Sequence, residues 1–422
     1  MAGESELARS VADADFVRRQ NRGLILSTLR REGPLSRTQL AGASGLSHAS
    51  ITAIGGELIS QSVLLDLGET ATDVRTRGRP AVQITFNRHI CHAILVELDV
   101  NRARFSLVDY AGTLVDRTEY PLTPTGFADT SVTAFLAEGI DRIRDRNPQE
   151  FPSLKRIAIS VQGILDRDAD GLSWSPIGHV SGTSIAGPLS ARFDVNVRLH
   201  KRGPLLAEGT RALYPHLRDM SVATVFVGST VALGMTANGR PLGRGDEGAT
   251  EFGHMNHIPD GAQCRCGMRG CLEAYAADYG VLRTAYGVPE RTPPAATVPA
   301  AAYQQLVQLG QSGRRNVVHA FNVAGRAIGY SLGRLMTIAA PTHIVIVGPG
   351  ASAFDLMRPE IEAALAASLV CKINGSPAIT VHHDEREPIF QGMLITTLSE
   401  LDQGYFAALT PENRATGVDA RR

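Results

Sequence analysis

The stretch that most constrains this chain is GHMNHIPDGAQCRCGMRGC, residues 253–271, which holds three of the five cysteines and two histidines. His254, Cys264, Cys266 and Cys271 follow the spacing H-x9-C-x-C-x4-C. Three thiolates and one imidazole form a tetrahedral donor set suited to Zn²⁺. His257 is a rival fourth ligand on spacing alone, and three reduced cysteines in a loop are the alternative without metal. Because four protein ligands leave no open coordination position, the pattern predicts a structural zinc site and not a catalytic one.

The composition is that of an ordinary globular protein, and its length of 422 residues predicts about three domains. Acidic and basic residues balance at 42 each, so any contact with nucleic acid must come from a local patch. The cysteines are odd in number and clustered, which favours metal binding in a reducing compartment over disulfides. The first residues are polar, and no run of about 18 apolar residues exists, so a cytoplasmic protein is predicted.

Residues 16–88 have the pattern of a winged helix-turn-helix, after a flexible N-terminus at 1–15. A first helix ends at Gly33, before Pro34. Ser36 and Ser47 are predicted N-caps of two short helices separated by a turn at Gly45. Strands are predicted at 63–67 and 81–86, on either side of a basic loop. Gly55 and Gly56 interrupt the second short helix, at a cost of roughly 1 kcal/mol each relative to Ala.

Double-stranded DNA is the partner that such a unit implies, since its second helix enters the major groove. Candidate base contacts at the start of this helix are Ser47, His48, Ala49, Ser50 and Thr52. Arg37 and Thr38 are placed for phosphate contacts. Arg75, Arg77 and Arg79, in the wing sequence RTRGRP, suit a narrow A·T-rich minor groove. The alternatives are helix capping for the small polar residues and a solvated hairpin tip for the arginines.

From residue 89 onward the pattern is that of an α/β body. Apolar runs typical of strands lie at 92–100, 103–112, 113–122, 156–165, 221–229 and 342–350. A helical pattern at 130–146 and further helical segments lie between them. Residues 288–300 are rich in Pro and Ala and predict a surface loop, and residues 406–422 predict a flexible tail.

The segment EFGHMNHIPDGAQCRCGMRGCLE, residues 251–273, resembles the signature of ROK proteins, the sugar kinases and sugar-responsive repressors. The resemblance extends from residue 16 to about 400, and a winged N-terminal domain is found only in the repressor branch. It implies a two-domain actin/hexokinase-like (ribonuclease H-like) body that binds a sugar between its domains. The implied domains are 89–202 with 388–405, and 203–387, which carries the zinc site and a dimerisation surface. The resemblance also implies that His254, and not His257, is the zinc ligand and that the other ring nitrogen of His254 faces the sugar. It further implies that Glu251 and Glu273 accept hydrogen bonds from sugar hydroxyls.

The motifs that a ROK kinase needs are altered in this chain. ELDVN at 97–101 replaces D-I-G-G-T and GSTVALG at 228–234 replaces G-T-G-I-G-G-G. RLHKR at 198–202 replaces E-N-D-A-N, which places His200 at the catalytic Asp and Leu199 at the sugar-binding Asn. VGPG at 347–350 survives but is weak support for a nucleotide. Since the carboxylate base and both glycine loops are lost, we expect no enzyme activity.

The sequence therefore predicts a transcriptional regulator, most simply a repressor, controlled by a sugar or sugar derivative in the interdomain cleft. Glu251, His254 and Glu273 are the expected effector contacts, with His179 and His200 as further polar candidates. A homodimer is expected because two heads match a palindromic operator, with a tetramer as the alternative. Two rivals stay open: a ROK kinase with an altered base, and a regulator whose body senses a protein or a non-sugar ligand.

Overall fold

The computed structural model describes residues 2–67, 82–122, 127–128, 130–242, 251–384 and 386–404, with side chains from residue 16 onward. The N-terminal head contains three helices and a small antiparallel sheet of order β1-β3-β2. Its elements are α1 (Ala2–Glu32), β1 (Leu35–Ser36), α2 (Arg37–Ser44), α3 (His48–Ser60), β2 (Leu64–Leu67) and β3 (Gln83–Phe86). This is the predicted winged helix-turn-helix, and the tip of its wing, 68–81, lies outside the described residues.

The helix boundaries in the head follow from local chemistry. The Ser36 side chain accepts a hydrogen bond from the Gln39 backbone N–H, and the Gln39 side chain accepts one from the Ser36 N–H, which is a complete capping box. Gly45 adopts a left-handed φ of 71°, and the Ser47 side chain caps α3 through the Ser50 N–H. The backbone of α1 is helical from Ala2, through the segment that the sequence assigns to a flexible N-terminus.

The first half of the body is built on a five-stranded sheet of order β10-β7-β4-β5-β6, in which β4, β7 and β10 are parallel. Helices α4 and α5 belong to this half, and β8 and β9 form a separate small hairpin. The elements are β4 (His92–Leu98), β5 (Arg102–Asp109), β6 (Leu114–Pro121), α4 (Val132–Arg146), β7 (Leu154–Val161), β8 (Ile164–Leu165), β9 (Leu172–Trp174), α5 (Ala186–Phe193) and β10 (Asn196–Lys201).

The second half repeats this topology, with a sheet of order β13-β12-β11-β14-β15 in which β11, β14 and β15 are parallel. In both sheets the first strand is central, so the body is the expected two-domain actin/hexokinase-like fold. Its elements are α6 (Arg202–Leu213), β11 (Val222–Val227), β12 (Val231–Ala237), β13 (Arg240–Pro241), α7 (Glu273–Ala276), α8 (Asp278–Ala285), α9 (Ala300–Gln311), α10 (Arg315–Ile338), β14 (His343–Val347), α11 (Phe354–Ala367), α12 (Leu369–Asn374) and β15 (Ala378–Val381). The last helix, α13 (Glu387–Gln403), returns to the sheet of the first half.

Helices α6 and α13 cross at close range between the two sheets. A Cβ on Gly209 of α6 would stand 1.8 Å from the Pro388 carbonyl oxygen, and one on Gly392 of α13 would stand 1.9 Å from that of Leu205. Only glycine allows this approach. The far end of α13 packs on β4, β7 and α1 of the head, and one hydrophobic cluster runs from Ile25 to Leu401 through this contact. Head and body therefore share a core.

Candidate functional site

Residues 251–272 form an irregular loop that brings His254, Cys264, Cys266 and Cys271 together. One ligand atom of each lies within 4.8 Å of the others. Cys264 Sγ is 3.7 Å from His254 Nδ1, and Cys266 Sγ is 3.7 Å from Cys271 Sγ. The four residues could hold a metal ion.

Tight backbone turns shape this loop. Gly267 and Gly270 have left-handed φ values of 87° and 82°, and a Cβ on Gly270 would stand 1.8 Å from the Ile258 carbonyl oxygen. The Cys264 N–H donates to the Met268 carbonyl at 3.0 Å, and the Ala262 N–H donates to the Tyr275 hydroxyl at 2.8 Å. The short Cys spacings therefore depend on the glycines between them.

His257, the rival ligand, lies outside the cluster. Its ring packs edge-on against Tyr275 with centroids 5.2 Å apart, and it is absent from the set of convergent donors. Its N–H and that of Ile258 donate to the Gly270 carbonyl. Within the described chain, His254 is thus the imidazole that accompanies the three thiols.

Tyr279 and Glu273 lie between the His/Cys cluster and the cleft. The Tyr279 hydroxyl lies 3.4 Å from Cys264 Sγ and donates to Glu273 Oε1 at 3.3 Å. Glu273 is 1% exposed and accepts from the Val231 N–H at 3.3 Å. Burial, together with the neighbouring Cys264, raises the pKa of Glu273 to about 7.

A cavity of about 60 Å³ opens beside the cluster, between the two halves of the body. Glu251, His254 and Glu273 line it from the metal loop. The opposite wall includes Gln162, Trp174, Lys201 and Arg202. Lys201 forms a close ion pair with Glu251, and the Trp174 ring stands edge-on to the His254 ring at 5.2 Å. The three family-implied residues therefore meet at one cavity.

The two further effector candidates, His200 and His179, are not among the residues that line this cavity, and their role as effector contacts stays a prediction. His200 is 4% exposed, and its Nε2 lies 3.9 Å from Glu400 Oε1 on α13. Successive side chains of a strand point to opposite faces, so on β10 Lys201 faces the cavity and His200 faces α13. His179 is exposed, in a left-handed turn with φ of 62°.

Trp174, Gln162, Lys201 and Arg202 are pocket residues that the sequence does not reveal. Trp174 is the only tryptophan of the chain, which is its one signal. Lys201 and Arg202 immediately follow His200, and only the pleat of β10 and the start of α6 bring them to the cleft. Their role depends on side-chain direction, which an aligned motif does not give.

A second, larger cavity of about 290 Å³ lies where the kinase motifs would surround a nucleotide. Asp99, Ser229 and Gly348, each from one of those motifs, line it. Arg202 also lines it, and its NH2 lies 3.1 Å from Asp99 Oδ2. Burial would raise the pKa of Asp99, but the guanidinium groups of Arg202 and Arg102 hold it below its ordinary value. Two departures from the kinase pattern, at positions 99 and 202, therefore form one ion pair.

The DNA-contact candidates lie on the outer side of the head. The apolar residues Ile51, Ile54 and Leu58 of α3 are buried, whereas Ser47, His48, Ala49 and Thr52 are exposed. Ser50 is half-buried and its hydroxyl lies 2.9 Å from that of Ser47, and the Thr52 hydroxyl donates to the His48 carbonyl at 2.8 Å. On α2, Thr38 is exposed and Arg37 NH2 lies 3.2 Å from Asp66 Oδ1. Arg75, Arg77 and Arg79 lie outside the described residues.

Comparisons with known proteins agree with this architecture. The ROK family model matches residues 94–398. The DNA-binding transcriptional dual regulator NagC of Escherichia coli K12 is 26% identical over 368 residues, which cover 84% of this chain and 86% of NagC. The xylose repressor of Bacillus subtilis 168 is 22% identical over 364 residues, which cover 85% of this chain and 91% of the repressor.

Solved structures share the fold. A ROK family transcriptional regulator described as a homologue of the E. coli MLC protein superposes with a TM-score of 0.69 at 20% identity, over 91% of this chain and 99% of its own. A ROK family glucokinase from Streptomyces griseus, solved with glucose and AMPPNP, gives 0.57 at 18% identity, over 72% and 98%. Across the described residues, no helix has the length and apolar character needed to cross a membrane. Because the family match covers well over half of its residues, this chain belongs to the ROK family.

Proposed function

We propose that this protein is a sequence-specific DNA-binding transcriptional regulator, acting as a repressor, whose body responds to a sugar or sugar derivative. The observation that carries the proposal is a winged head that shares a hydrophobic core with a kinase-like body. The regulator structure covers 91% of the chain and the glucokinase 72%, a difference of about 80 residues that is close to the size of the head. The relatives named above are a regulator and a repressor.

The effector would lie in the cavity beside the metal loop. Glu251 and Glu273 supply acceptors for hydroxyl groups, and the Trp174 ring offers an apolar face of the kind on which a sugar ring packs. One of the relatives, the xylose repressor, is named for a sugar, which supports a sugar as the chemical class. A change in the cleft would reach the head through α13, which packs on α6, the helix that begins at the cleft, and on α1 of the head.

DNA binding would use two heads of a homodimer on two half-sites of an operator. The exposed residues at the start of α3 would read bases in the major groove, Arg37 and Thr38 would contact phosphates, and the wing arginines would enter the minor groove. A tetramer would present the same heads in pairs. Such a regulator works in the cytoplasm.

The metal that fits the His/Cys cluster is Zn²⁺. Zn–S bonds of about 2.3 Å in a tetrahedron place two sulfur atoms about 3.8 Å apart, and Cys266 Sγ and Cys271 Sγ are 3.7 Å apart. When bound, zinc would close the loop through four protein ligands and leave no position for a substrate. Its role is therefore structural: it would fix His254 and Glu273 at the edge of the cavity.

Sugar kinase activity is the alternative, because solved ROK kinases share the fold. Two observations count against it. His200, at the position of the catalytic carboxylate, faces Glu400 on α13 and not the cavity. Asp99 places a carboxylate where kinase phosphates need a glycine loop.

The test is a selection of genomic DNA fragments by the full chain, followed by gel shifts at several salt concentrations, with ATP turnover measured on the same preparation. We expect salt-dependent, sequence-specific binding that Arg77→Ala with Arg79→Ala weakens, and no sugar-dependent ATP consumption. Robust phosphorylation of a sugar without specific DNA binding would overturn the proposal.

A further inference from the structure

The wall between the two cavities contains a buried arginine, Arg202, only part of whose guanidinium group is hydrogen-bonded. Arg202 lines both cavities and is only 7% exposed. Its NH2 is 3.1 Å from Asp99 Oδ2, whereas its Nε and NH1 are buried and make no hydrogen bond to the residues that the structure describes. Buried guanidinium N–H groups without an acceptor are costly, so these two nitrogens at the cavity wall are donors available to an acceptor group in the cavity.

The backbone at the same point favours an anion. Arg202 is the first residue of α6, a helix of 12 residues whose N-cap, Lys201, makes no side-chain capping bond. Helix N-termini carry partial positive charge and unsatisfied N–H groups. Gly203, the next residue, lines the smaller cavity, and a Cβ there would stand 2.4 Å from the Leu233 carbonyl oxygen. The start of α6 is therefore held tightly against the second sheet, at the cleft.

Five carboxylates line the two cavities; Glu273 accepts hydrogen bonds from the Val231 N–H and the Tyr279 hydroxyl, and the other four have cations of their own. They form the pairs Glu97–Arg104 at 3.2 Å, Asp99–Arg202 at 3.1 Å, Asp278–Arg265 at 3.6 Å and the close pair Glu251–Lys201. The ring of Phe226, 4.7 Å from the Arg202 guanidinium carbon, supports the guanidinium from one side. A negatively charged group at Arg202 would thus meet two guanidinium nitrogens that have no acceptor in the described part of the chain, and four of the five nearby carboxylates are paired with cations.

We propose that the effector carries an anionic group, a phosphate or a carboxylate, and that Arg202 and the first turn of α6 bind it. The inference rests on the proposed function and narrows the effector to an acidic sugar derivative. Its sugar portion occupies the smaller cavity near Glu251, Glu273 and Trp174, and its charged group lies at the wall shared with the larger one. The proposal also gives Asp99 a role. Its carboxylate pairs with one nitrogen of Arg202, orients the guanidinium group and leaves the other two nitrogens for the ligand.

The test measures binding to the full zinc-loaded chain by Trp174 fluorescence and thermal shift, at constant ionic strength set with chloride. The probes are common hexoses, pentoses and N-acetylhexosamines, each as the neutral sugar, the sugar phosphate and the corresponding sugar acid, together with inorganic phosphate. We expect one acidic derivative to bind more tightly than its neutral parent by on the order of 10- to 100-fold. Whether the phosphate or the carboxylate series shows this preference identifies the source of the charge.

Variants assign the preference to Arg202. Arg202→Gln should bring the ratio of the acidic to the neutral affinity close to one, whatever its effect on the neutral sugar, whereas Arg358→Gln, an exposed arginine on α11, should leave that ratio unchanged. If Arg202→Gln fails to fold because Asp99 loses its cation, the double variant Asp99→Asn with Arg202→Gln removes both charges and takes its place.

The outcomes separate the two proposals. Equal binding of acidic and neutral forms, or an acidic preference that survives loss of Arg202, would overturn the anion site and leave the regulator proposal standing. Acidic ligands that bind through Arg202 without altering DNA binding would overturn the regulator and leave the anion site standing. If no sugar binds, the thermal shift with inorganic phosphate decides between the outcomes. A rise in the melting temperature of the wild type but not of the double variant supports the anion site, and no rise in the wild type overturns it.

Discussion

At the scale of single residues, one buried ion pair joins the head to the body. Arg30 of α1 makes two hydrogen bonds to Asp402 of α13, the Tyr110 hydroxyl donates to the same carboxylate at 2.6 Å, and the Arg30 guanidinium carbon lies 4.7 Å from the Phe86 ring centroid. We expect Asp402→Ala to destabilise the protein by about 3–5 kcal/mol, since it leaves a buried guanidinium without its partner. Glu360→Ala, which breaks an exposed pair with Arg326, should cost less than about 1 kcal/mol. Urea denaturation measures the free energy of unfolding of both variants. An equal loss of stability in the two would contradict a structural role for the buried pair.

Trp174 makes the pocket observable, because the only indole of the chain lies at its wall. Its ring stands 5.2 Å from that of His254, so the emission should report both ligand binding and the state of the metal loop. We expect a chelator to shift the emission maximum of the wild type towards that of Cys266→Ser. An unchanged spectrum after verified metal loss would show that the loop keeps its shape without metal.

Residue types at fixed spacing predicted the metal cluster because ligand chemistry restricts which residues can meet around one ion. His200 and His179, the further polar candidates for the effector pocket, are not among the residues that line the cavity. On β10 the direction of a side chain alternates with each residue, so one position decides whether a histidine faces a cleft or a packed helix.

At the scale of elements, helical glycines divide into two kinds. Gly209 and Gly392 have carbonyl oxygens within 2 Å of an added Cβ, whereas no described atom beyond the helix's own backbone lies within 4 Å of one on Gly56 of α3. We expect Gly209→Ala to destabilise by about 1–3 kcal/mol or more through overpacking. Gly56→Ala should stabilise by about 0.5–1 kcal/mol because alanine is the better helix former. Thermal unfolding measures the direction of the stability change in each variant. Stabilisation by Gly209→Ala would contradict the observed crossing of α6 and α13.

Periodicity and capping residues predicted the helices and strands well, since Ser36, Gly45 and Ser47 act through neighbours within four residues. They do not account for Gly55 and Gly56. An added Cβ on Gly55 would make only an ordinary 3.8 Å contact with Ile84, so close packing does not require these glycines.

At the scale of the whole molecule, the zinc loop should contribute to folding as well as to the pocket. We expect one zinc per chain by elemental analysis, lost in Cys266→Ser and kept in Cys371→Ser, whose thiol is outside the cluster. Metal removal should lower the melting temperature, since metal ligation and folding are coupled. Zinc retention by Cys266→Ser at full stoichiometry would contradict the four-ligand site.

The contact of α1 with α13 could not be predicted from the sequence. Arg30 and Asp402 are 372 residues apart, and no local pattern pairs an arginine near the end of a head helix with an aspartate near the end of the described chain. Hydrophobic patterns predicted an α/β body, but its connection to the head arises only when α13 returns to β4 and β7.

The central claim is that a ligand in the cleft controls the head, and the most direct measurement is operator affinity with and without that ligand. We predict that saturating ligand changes the operator Kd by roughly 5- to 150-fold, and that operator DNA changes the ligand Kd by the same factor, as linkage requires. Glu251→Gln should bind the operator like the wild type but need more ligand for the same change. A ligand that binds, as reported by Trp174 fluorescence, and leaves operator affinity unchanged would contradict the account.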